Sequence, residues 1–498
     1  MRRLAALLAV AALCLAGAAG CGGGGSRPTT PLDDALGYFA HDAPFVAAVE
    51  TDPAGPQVKQ AMSLISGFPA GGLLAAQLER LTRFRSLDYD HDIRPLLGAP
   101  LVVGLTRPAA GRDLSVPLVA AIRVGDPIDA KRLLLRQPGF LARGRSSGAR
   151  IYENRTESRY AAVDGQVLIV ATNRDILAQA LGMHRTDNRM RENGFEADLA
   201  GLPAGALARV SADPRSMIGV DPRLRPALGV KWLSSMRRLG AVLKASPDGL
   251  ALDFRVATDS GSIADADLPL APRAGPLPLV GGAGDVKIGV REPGRLARLA
   301  VAVWRAVAPR HAAQIRALEP AGVDLERQLP RHLGDVGVLA LDPFSRAFAA
   351  RADIRDPADV QAALATLAPV LPDMAGALGI PGVGIATPEA GESFYALARP
   401  NGTMVVFGVV GGSVVAASEP RRAAGLASEP ASTAPGRQAS AVVTLDARGL
   451  VGKLLARRLK GPAAIAAPLA VAALRDLTGW LTIGRSGLRG HFRLKIVR

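Results

Sequence analysis

The segment near the C-terminus, residues 488–496, shows the most regular hydrophobic pattern in the chain. One face carries Leu488, Phe492, Leu494 and Ile496 together with Gly490, and the other carries Arg489, His491, Arg493 and Lys495. Alternation with a period of two residues predicts a half-buried β-strand. Glycine-containing turns at 247–249 and 485–487 interrupt paired apolar runs, so they predict hairpins and a sheet that is at least partly antiparallel.

Helices are predicted where helix-starting residues follow an apolar run. The sequence Asp-Pro-x-Asp occurs at 126–129 and again at 356–359. Its first Asp suits the N-cap, its Pro suits the first turn, and its second Asp interacts favourably with the helix dipole. The apolar pattern predicts further helices within 58–65, 73–81 and 296–307. The charge-free segment 461–474 predicts a buried helix that is too short to span a bilayer.

The same series of sequence landmarks occurs twice in one order, which predicts a tandem duplication. The matching segments are 87–105 with 323–341, 126–129 with 356–359, 213–219 with 446–452, and 249–256 with 487–494. Between the copies, the proline-rich residues 262–278 predict a linker of limited flexibility. The predicted fold class is α+β, with two tandem homologous domains at 31–261 and 279–498, each a mostly antiparallel sheet packed with helices.

The N-terminus has the composition of a secretion signal. Two arginines are followed by an uncharged apolar stretch, so residues 1–20 are predicted to be a signal peptide. Residues 18–21 resemble the bacterial lipobox, which predicts that Cys21 is lipidated and that the Gly-rich residues 21–30 form a tether. As an alternative, residues 16–18 fit the cleavage site of an ordinary secreted protein. The expected location is extracytoplasmic, anchored to the cell membrane through Cys21.

Composition narrows the class of protein and of partner. Apolar residues make up 49% of the 498 residues, which is enough for a sizeable core. Cys14 and Cys21 are the only cysteines, so no internal disulfide can form once the signal is removed. A formal net charge of +16 would attract anionic lipids, envelope polymers or nucleic acid. The arginines are scattered along the chain, however, which favours a simpler explanation, a GC-rich genome that encodes arginine freely. Aromatic residues make up only 4%, and this scarcity of stacking platforms argues against nucleic acid as a partner.

Three sequence features resemble catalytic or metal-binding motifs, and each has a simpler structural interpretation. Asp88, Asp90 and Asp92 begin like a calcium loop, but the following residues do not continue it, so a capped helix start is favoured. The G-x-S-x-G string at 144–148 has no strand leading in and no helix leading out, so it is interpreted as a loop. The histidines lack close metal-ligand spacing: they are His41, His91, His184, His311, His332 and His491. The sequence predicts no catalytic residue, no metal site and no cofactor.

Part of the chain resembles a known family. Residues 42–50, the segment Gly67-Phe68-Pro69, and residues 88–98 with the strand that follows them are similar to an uncharacterised family of bacterial lipoproteins and secreted proteins, the domain-of-unknown-function family 3352. The resemblance extends over most of residues 31–498, and its motifs are structural in character. It implies an envelope or secreted protein with no known catalytic or binding residues, so no site residue is carried over.

Two hypotheses about function follow from these observations. The leading one is a non-catalytic binding or scaffold lipoprotein of the cell envelope, whose partner is an envelope protein, a polymer or a lipid. The alternative is a carrier or sensor of an apolar ligand, held in a groove between sheet and helices. An enzyme with a dispersed active site is the third and least favoured class. The basic strand face at 489–495 is interpreted as a solvated surface.

Overall fold

The structure of the protein is a computed structural model. It describes residues 30–67, 94–106, 117–137, 139–154, 158–272, 275, 277–279, 286–319, 330–345, 347–387, 394–399, 402, 404–428, 432–433, 439–458 and 471–497. Within these ranges, every helix is too short or too polar to cross a bilayer. The predicted helix at 73–81 and most of the predicted helix at 461–474 lie outside the described residues, as do the signal peptide and tether.

Proline opens most of the helices in the described ranges. Its fixed φ suits the first helical position, and its missing N–H is not needed there. The α-helices are α1 Pro31–Leu36, α2 Pro56–Ser66, α3 Pro127–Arg136, α4 Arg174–Met183, α5 Glu192–Asp198, α6 Pro214–Val220, α7 Lys231–Ser235, α8 Pro293–Val307, α9 Pro309–Leu318, α10 Pro357–Leu367, α11 Leu371–Ala377, α12 Pro420–Ser428 and α13 Ala447–Arg458. Short 3-10 helices occur at Arg94–Leu96, Arg225–Gly229, Asp265–Asp267 and Ala368–Val370.

The strands alternate with these helices along the chain. Their bounds are β1 Phe45–Val49, β2 Leu101–Leu105, β3 Leu118–Arg123, β4 Phe140–Ser146, β5 Ala149–Asn154, β6 Arg159–Asp164, β7 Val167–Ala171, β8 Ala208–Ala212, β9 Met236–Ser246, β10 Gly249–Thr258, β11 Pro278–Leu279, β12 Val286–Arg291, β13 Leu333–Asp342, β14 Ala347–Ile354, β15 Gly384–Ala386, β16 Phe394–Ala398, β17 Met404–Val410, β18 Ser413–Ala417, β19 Ser432–Thr433, β20 Ala441–Asp446, β21 Leu474–Gly484 and β22 Gly487–Ile496.

Of these strands, 20 form one continuous sheet in which every pairing is antiparallel. From one edge to the other the order is β4-β5-β6-β7-β3-β2-β1-β8-β9-β10-β22-β21-β20-β12-β13-β14-β18-β17-β16-β15. The first ten strands belong to one half of the chain and the last ten to the other. The remaining two strands, β11 and β19, pair only with each other.

The two halves of the sheet have the same strand order when each is read from its own outer edge. β4 corresponds to β15, the central β1 corresponds to β12, and β10 corresponds to β22. The helices show the same correspondence. α2 follows β1 in the chain, and α8 follows β12, the strand that corresponds to β1. The sheet therefore has a pseudo-twofold arrangement about the β10–β22 pair, which is the arrangement that a duplicated chain would produce. The domain boundaries predicted from the sequence stay a prediction.

The pseudo-twofold axis passes between Asp253 and His491. These two residues are directly opposite in the β10–β22 register, and each lies the same number of residues after its hairpin glycine, Gly249 or Gly487. Their side chains meet, with His491 Nδ1 2.7 Å from Asp253 Oδ1. On the opposite face of this joint, the rings of Phe254 and Phe492 stack with centroids 6.0 Å apart.

The hairpin glycines allow the two central strands to approach closely. Gly249 has φ of +152° and Gly487 has φ of +138°, a region that favours glycine. A Cβ atom on Gly249 would lie 1.9 Å from the carbonyl oxygen of Leu494, and one on Gly487 would lie 2.0 Å from that of Val256. The two contacts are equivalent under the pseudo-twofold axis. Each half therefore presents a glycine to the backbone of the other half.

Two hydrophobic cores contain side chains from both halves. In the first, Val58 and Leu64 of α2 pack with Ala447 of α13 and with Leu474 and Ile496 of the last hairpin. The second core joins residues within the segment 262–278 to residues on either side of it: Trp232, Ile263, Leu268, Leu270, Val290, Ala441 and Ile483. Helices of one half thus cover strands of the other. The halves share buried surface as well as a strand pair.

Several sequence predictions are confirmed by the structure. The fold is α+β with antiparallel sheet, Asp126 and Asp356 cap α3 and α10 through their side chains, and both predicted hairpins form. The strand predicted at 488–496 is β22, and the segments 58–65 and 296–307 lie in α2 and α8. The structure adds that the sheets of the two copies are continuous, a feature that the side-chain pattern did not predict.

Candidate functional site

The residues singled out in the sequence fall in three places. Cys21 and the Asp88–Asp92 motif lie outside the described residues. The G-x-S-x-G string at 144–148 forms the β4–β5 hairpin turn, with Ser147 at φ of +46°. A strand does lead into this string, which corrects the sequence interpretation. A second strand rather than a helix leads out of it, so the strand-turn-helix elbow of serine hydrolases is not formed here.

The basic face predicted for the last strand is only partly a solvated surface. Arg489, Arg493 and Lys495 are exposed, as expected of such a face. His491 is different, because it is half-buried at the joint, where it contacts Asp253 and stacks against Trp480 with centroids 6.0 Å apart. Within the described part of the chain, no group of three or more His, Cys, Asp or Glu side chains is placed to hold a metal ion.

The most distinctive surface feature is an open cleft of about 610 Å³ where the two halves meet. We call it the junction cleft. One wall comes from the first half, at 229–232, and the opposite wall comes from α8 of the second half. The segment 266–268, between the halves, completes the lining. Four basic side chains line the cleft together with apolar ones: Lys231, Arg295, Arg298 and Arg305 with Trp232, Leu268, Leu299, Ala302 and Ala306.

The helical period of α8 explains how its arginines reach one cleft. Residues 295, 298, 302 and 305 recur at intervals of three or four, so they lie on one face of the helix. Gly294, in the first turn, allows this helix to lie close to the backbone at Pro330, since a Cβ atom on Gly294 would lie 2.2 Å from the carbonyl oxygen of Pro330. The opposite wall is fixed by Trp232 and Leu268, which are 4% and 1% exposed.

The charges in the junction cleft are unevenly matched. Arg295 is engaged by the carboxylate of Glu292 and by the backbone carbonyl of Asp265. Lys231 lies 3.7 Å from Asp267, at ion-pair distance. Partial burial, together with the like charge of Arg295, lowers the pKa of Arg298 below its usual value. Among the described residues, no carboxylate lies within ion-pair distance of Arg298. The cleft therefore gathers positive charge that the described side chains only partly neutralise.

The corresponding helix of the first half has a different surface. Counted from the proline that opens each helix, Arg295 and Arg298 of α8 correspond to Val58 and Ala61 of α2. Val58 and Ala61 are buried, at 1% and 5% exposure, in the core shared by the two halves. The equivalent face is thus closed and apolar in one copy but open and basic in the other. This difference marks the open, basic helix face as a feature of the second copy.

A second cleft, of about 740 Å³, has the opposite charge. Glu50 and Glu196 both bind Arg209, at 2.8 and 2.6 Å, and Asp52 and Glu192 line the same space. Burial raises the pKa of Glu50 above its usual value, and the neighbouring Arg209 opposes that shift. The single arginine already satisfies the two closest carboxylates, so this cleft is organised as an internal ion-pair network.

A third and smaller cavity, of about 210 Å³, lies in the first half beside Tyr38. The ring of Tyr38 stacks on that of His184 with centroids 4.4 Å apart, and its hydroxyl donates to Asp164 at 3.3 Å. Burial raises the pKa of Tyr38 and lowers that of His184, which favours the neutral form of both side chains. This arrangement packs α1 against α4, and we interpret it as part of the hydrophobic core of the first half.

Sequence reasoning missed the junction cleft. One signal was available, because Arg298 and Arg305 share a helical face within the segment 296–307, which is predicted to be a helix, and Arg295 directly precedes that segment. The opposite wall had no such signal, since Lys231 and Trp232 are more than sixty residues away in the chain. The pairing of β10 with β22 and the core shared by the two halves bring these segments together.

Comparisons with known proteins give little further information. No protein-family model and no curated protein matches the chain. Among solved structures, crystal form III of TP0453 has 10% sequence identity and a TM-score of 0.28, and the match covers 48% of this chain and 84% of that one. Crystal form I has 12% identity and a TM-score of 0.28, covering 48% and 82%, and crystal form IV has 10% and 0.27, covering 45% and 80%. Similarity at this level carries no argument about fold or function, and the resemblance to domain-of-unknown-function family 3352 stays a prediction.

Proposed function

We propose that the protein is a membrane-tethered, extracytoplasmic lipoprotein that binds a partner or ligand without catalysing a reaction. The observation that carries the proposal is the junction cleft, an open groove in which basic and apolar side chains line one space. Concave sites of this kind, with apolar walls and a few polar groups, are the usual form of binding sites. The cleft is built from both halves, so the folded chain as a whole presents it.

The sequence supports the tether. Residues 1–20 have the features of a signal peptide, and Cys21 follows at the position of a lipidated cysteine. The first helix begins at Pro31, and Thr30 caps it by accepting a hydrogen bond from the backbone N–H of Asp33 at 3.1 Å. About ten residues would thus separate the lipid from the folded part, which limits its distance from the bilayer surface to about 35 Å. A lipid on Cys21 would keep the folded part of the chain close to the membrane.

Substitution of Cys21 tests the tether. In the native host, Cys21→Ala is expected to move the protein from the membrane fraction to the soluble extracytoplasmic fraction, because it removes the acylated thiol. Cys14→Ala is a matched control, since Cys14 lies inside the segment predicted to be removed and this variant is expected to stay at the membrane. Membrane retention of Cys21→Ala with an unchanged mass would contradict the tether.

Native mass spectrometry tests the binding function. The Cys21→Ser form, exported by its host and purified gently, is expected to carry a co-purifying small molecule or polypeptide. Solvent extraction of a separate portion of the sample, followed by analysis of the extract, distinguishes a bound small molecule from a bound protein. Bare protein, together with turnover of an ester, peptide or glycan substrate, would overturn the proposal that the protein binds without catalysis.

A further inference from the structure

We propose that the junction cleft binds the phosphate group of an anionic amphiphile, with Arg298 and its neighbouring cations at the phosphate and the apolar wall along the alkyl chain. The inference rests on the proposed binding function and names the ligand class for it. Charge, lining chemistry and the contrast between the two copies each support it.

The first argument is the surplus of positive charge. Asp267 is the one carboxylate among the lining residues of the cleft, and it lies at ion-pair distance from Lys231. Arg305 has an interaction of its own, so the surplus comes from Arg298 and its neighbour Arg295. Arg295 is held in place by Glu292 and by a backbone carbonyl, so its charge stands beside Arg298. Partial burial, and after it the like charge of Arg295, lowers the pKa of Arg298. An anion placed between these side chains would relieve their repulsion.

The second argument is the chemistry of the lining. A guanidinium group presents its donors in a planar fork that matches two oxygens of a phosphate, and it is weakly hydrated compared with an ammonium group. Beside the arginines, the partly exposed apolar side chains of the lining are Leu299, Ala302 and Ala306. Free phosphate would leave this apolar wall unused. A phosphate that carries an alkyl chain would contact both parts of the lining, so the amphiphile is the better match.

The third argument comes from the pseudo-twofold symmetry. The positions of Arg295 and Arg298, counted from the proline that opens α8, hold buried Val58 and Ala61 in the first copy. Replacing a closing apolar face by arginines leaves the cleft open and sacrifices hydrophobic stabilisation. This cost has a physical rationale when the open face serves to bind an anionic ligand.

The test uses the full mature chain with Cys21→Ser, which keeps every described contact. Titration calorimetry with dihexanoyl phosphatidic acid, below its critical micelle concentration, measures binding of a soluble amphiphile. Inorganic phosphate is the second probe. Flotation with vesicles of phosphatidylglycerol, and separately of phosphatidylcholine, asks whether the same site engages a bilayer. We expect phosphatidic acid to bind about tenfold more tightly than inorganic phosphate, because only the former buries an alkyl chain.

Matched variants locate the binding. Arg298→Ala is expected to weaken phosphatidic acid binding about tenfold or more, since a hydrogen-bonded charge is removed. Arg298→Lys should restore part of the loss. Arg310→Ala removes an exposed arginine of α9 outside the cleft and should change affinity by less than about twofold. Similarly, Ala302→Glu places a negative charge in the cleft and should prevent binding, while Ala300→Glu places it on an exposed position outside and should not.

The outcomes separate this inference from the broader function. Equal losses from Arg298→Ala and Arg310→Ala, equal affinity for inorganic phosphate and phosphatidic acid, or no binding of phosphatidic acid would each overturn the inference. If native mass spectrometry nevertheless shows a bound partner that Arg298→Ala leaves in place, the binding function stands and only the cleft assignment falls. Loss of that partner in Ala302→Glu but not in Ala300→Glu would support both.

Discussion

The joint between the two halves makes a strong prediction about stability, which the substitution Gly249→Ala tests. A Cβ atom at this position would lie 1.9 Å from the carbonyl oxygen of Leu494, whereas an ordinary carbon–oxygen contact is about 3.3 Å or longer. The two backbones would have to separate by more than an ångström. Ladder hydrogen bonds of ordinary length would then exceed bonding distance at that end of the β10–β22 pair.

The expected magnitude follows from two contributions. The φ of +152° at Gly249 lies outside the left-handed helical region and costs about 1–3 kcal/mol for alanine, and loss of two ladder hydrogen bonds costs about 1 kcal/mol each. We therefore expect the free energy of unfolding to fall by about 3–5 kcal/mol. Urea unfolding of the Cys21→Ser protein, followed by circular dichroism and by tryptophan fluorescence, measures the change. Gly487→Ala, at the equivalent position, should have a similar effect.

Gly165→Ala provides the control that isolates the close contact. Gly165 lies in the turn between β6 and β7 with φ of +59°, and a Cβ atom there would meet nothing within 4 Å. It should therefore show only the backbone cost, about 1 kcal/mol. If Gly249→Ala destabilises the protein no more than Gly165→Ala, the halves do not approach as closely as described, and the argument for a continuous sheet fails.

Two further predictions concern the shared core and the response to pH. Leu64→Ala, at a position 3% exposed in the core shared by both halves, should lower the free energy of unfolding by about 2–5 kcal/mol, whereas Leu296→Ala, 43% exposed, should change it by less than about 0.5 kcal/mol in the same urea titration. The Asp342 carboxylate accepts hydrogen bonds from the backbone N–H groups of Phe344 and Ser345, at 2.9 and 3.2 Å, which lowers its pKa well below the usual value. Its stabilising effect is therefore full above the unfolded pKa of about 3.9 and is lost progressively as the pH falls from there through the lower pKa of the folded state. Asp342→Ala should thus reduce the urea midpoint at pH 7 and do so less at pH 3. An equal reduction at both pH values would contradict the assignment.

Local structure was predictable because its causes are local. Asp126 and Asp356 cap helices through hydrogen bonds to residues two or three positions along the chain, and both are recognisable in the sequence. The alternation over 488–496 likewise predicts a strand wherever that strand pairs. These signals gave the α+β class, the hairpins and many helix starts.

The union of the two sheets was not predictable in this way. Strands pair through backbone groups, and nearly every residue supplies those groups, so the pattern of side chains does not identify the partner of an edge strand. Gly249 and Gly487 were recognised as turn residues, but their contact with the opposite half depends on the pairing itself. The junction cleft depends on the same pairing. Its arginines were visible on a helical face, while its opposite wall was not.

The pairing of β10 with its own counterpart has a consequence for how the molecule assembles. Equivalent strands that meet antiparallel about a twofold axis form the kind of contact that closes a symmetric dimer of two chains. Such a dimer dissociates on dilution, because its assembly is bimolecular. Here both strands belong to one polypeptide, connected through residues 262–278, so the contact is intramolecular. The protein has the geometry of a dimer while its integrity is independent of its concentration, and its two copies are free to differ in sequence, as α2 and α8 do.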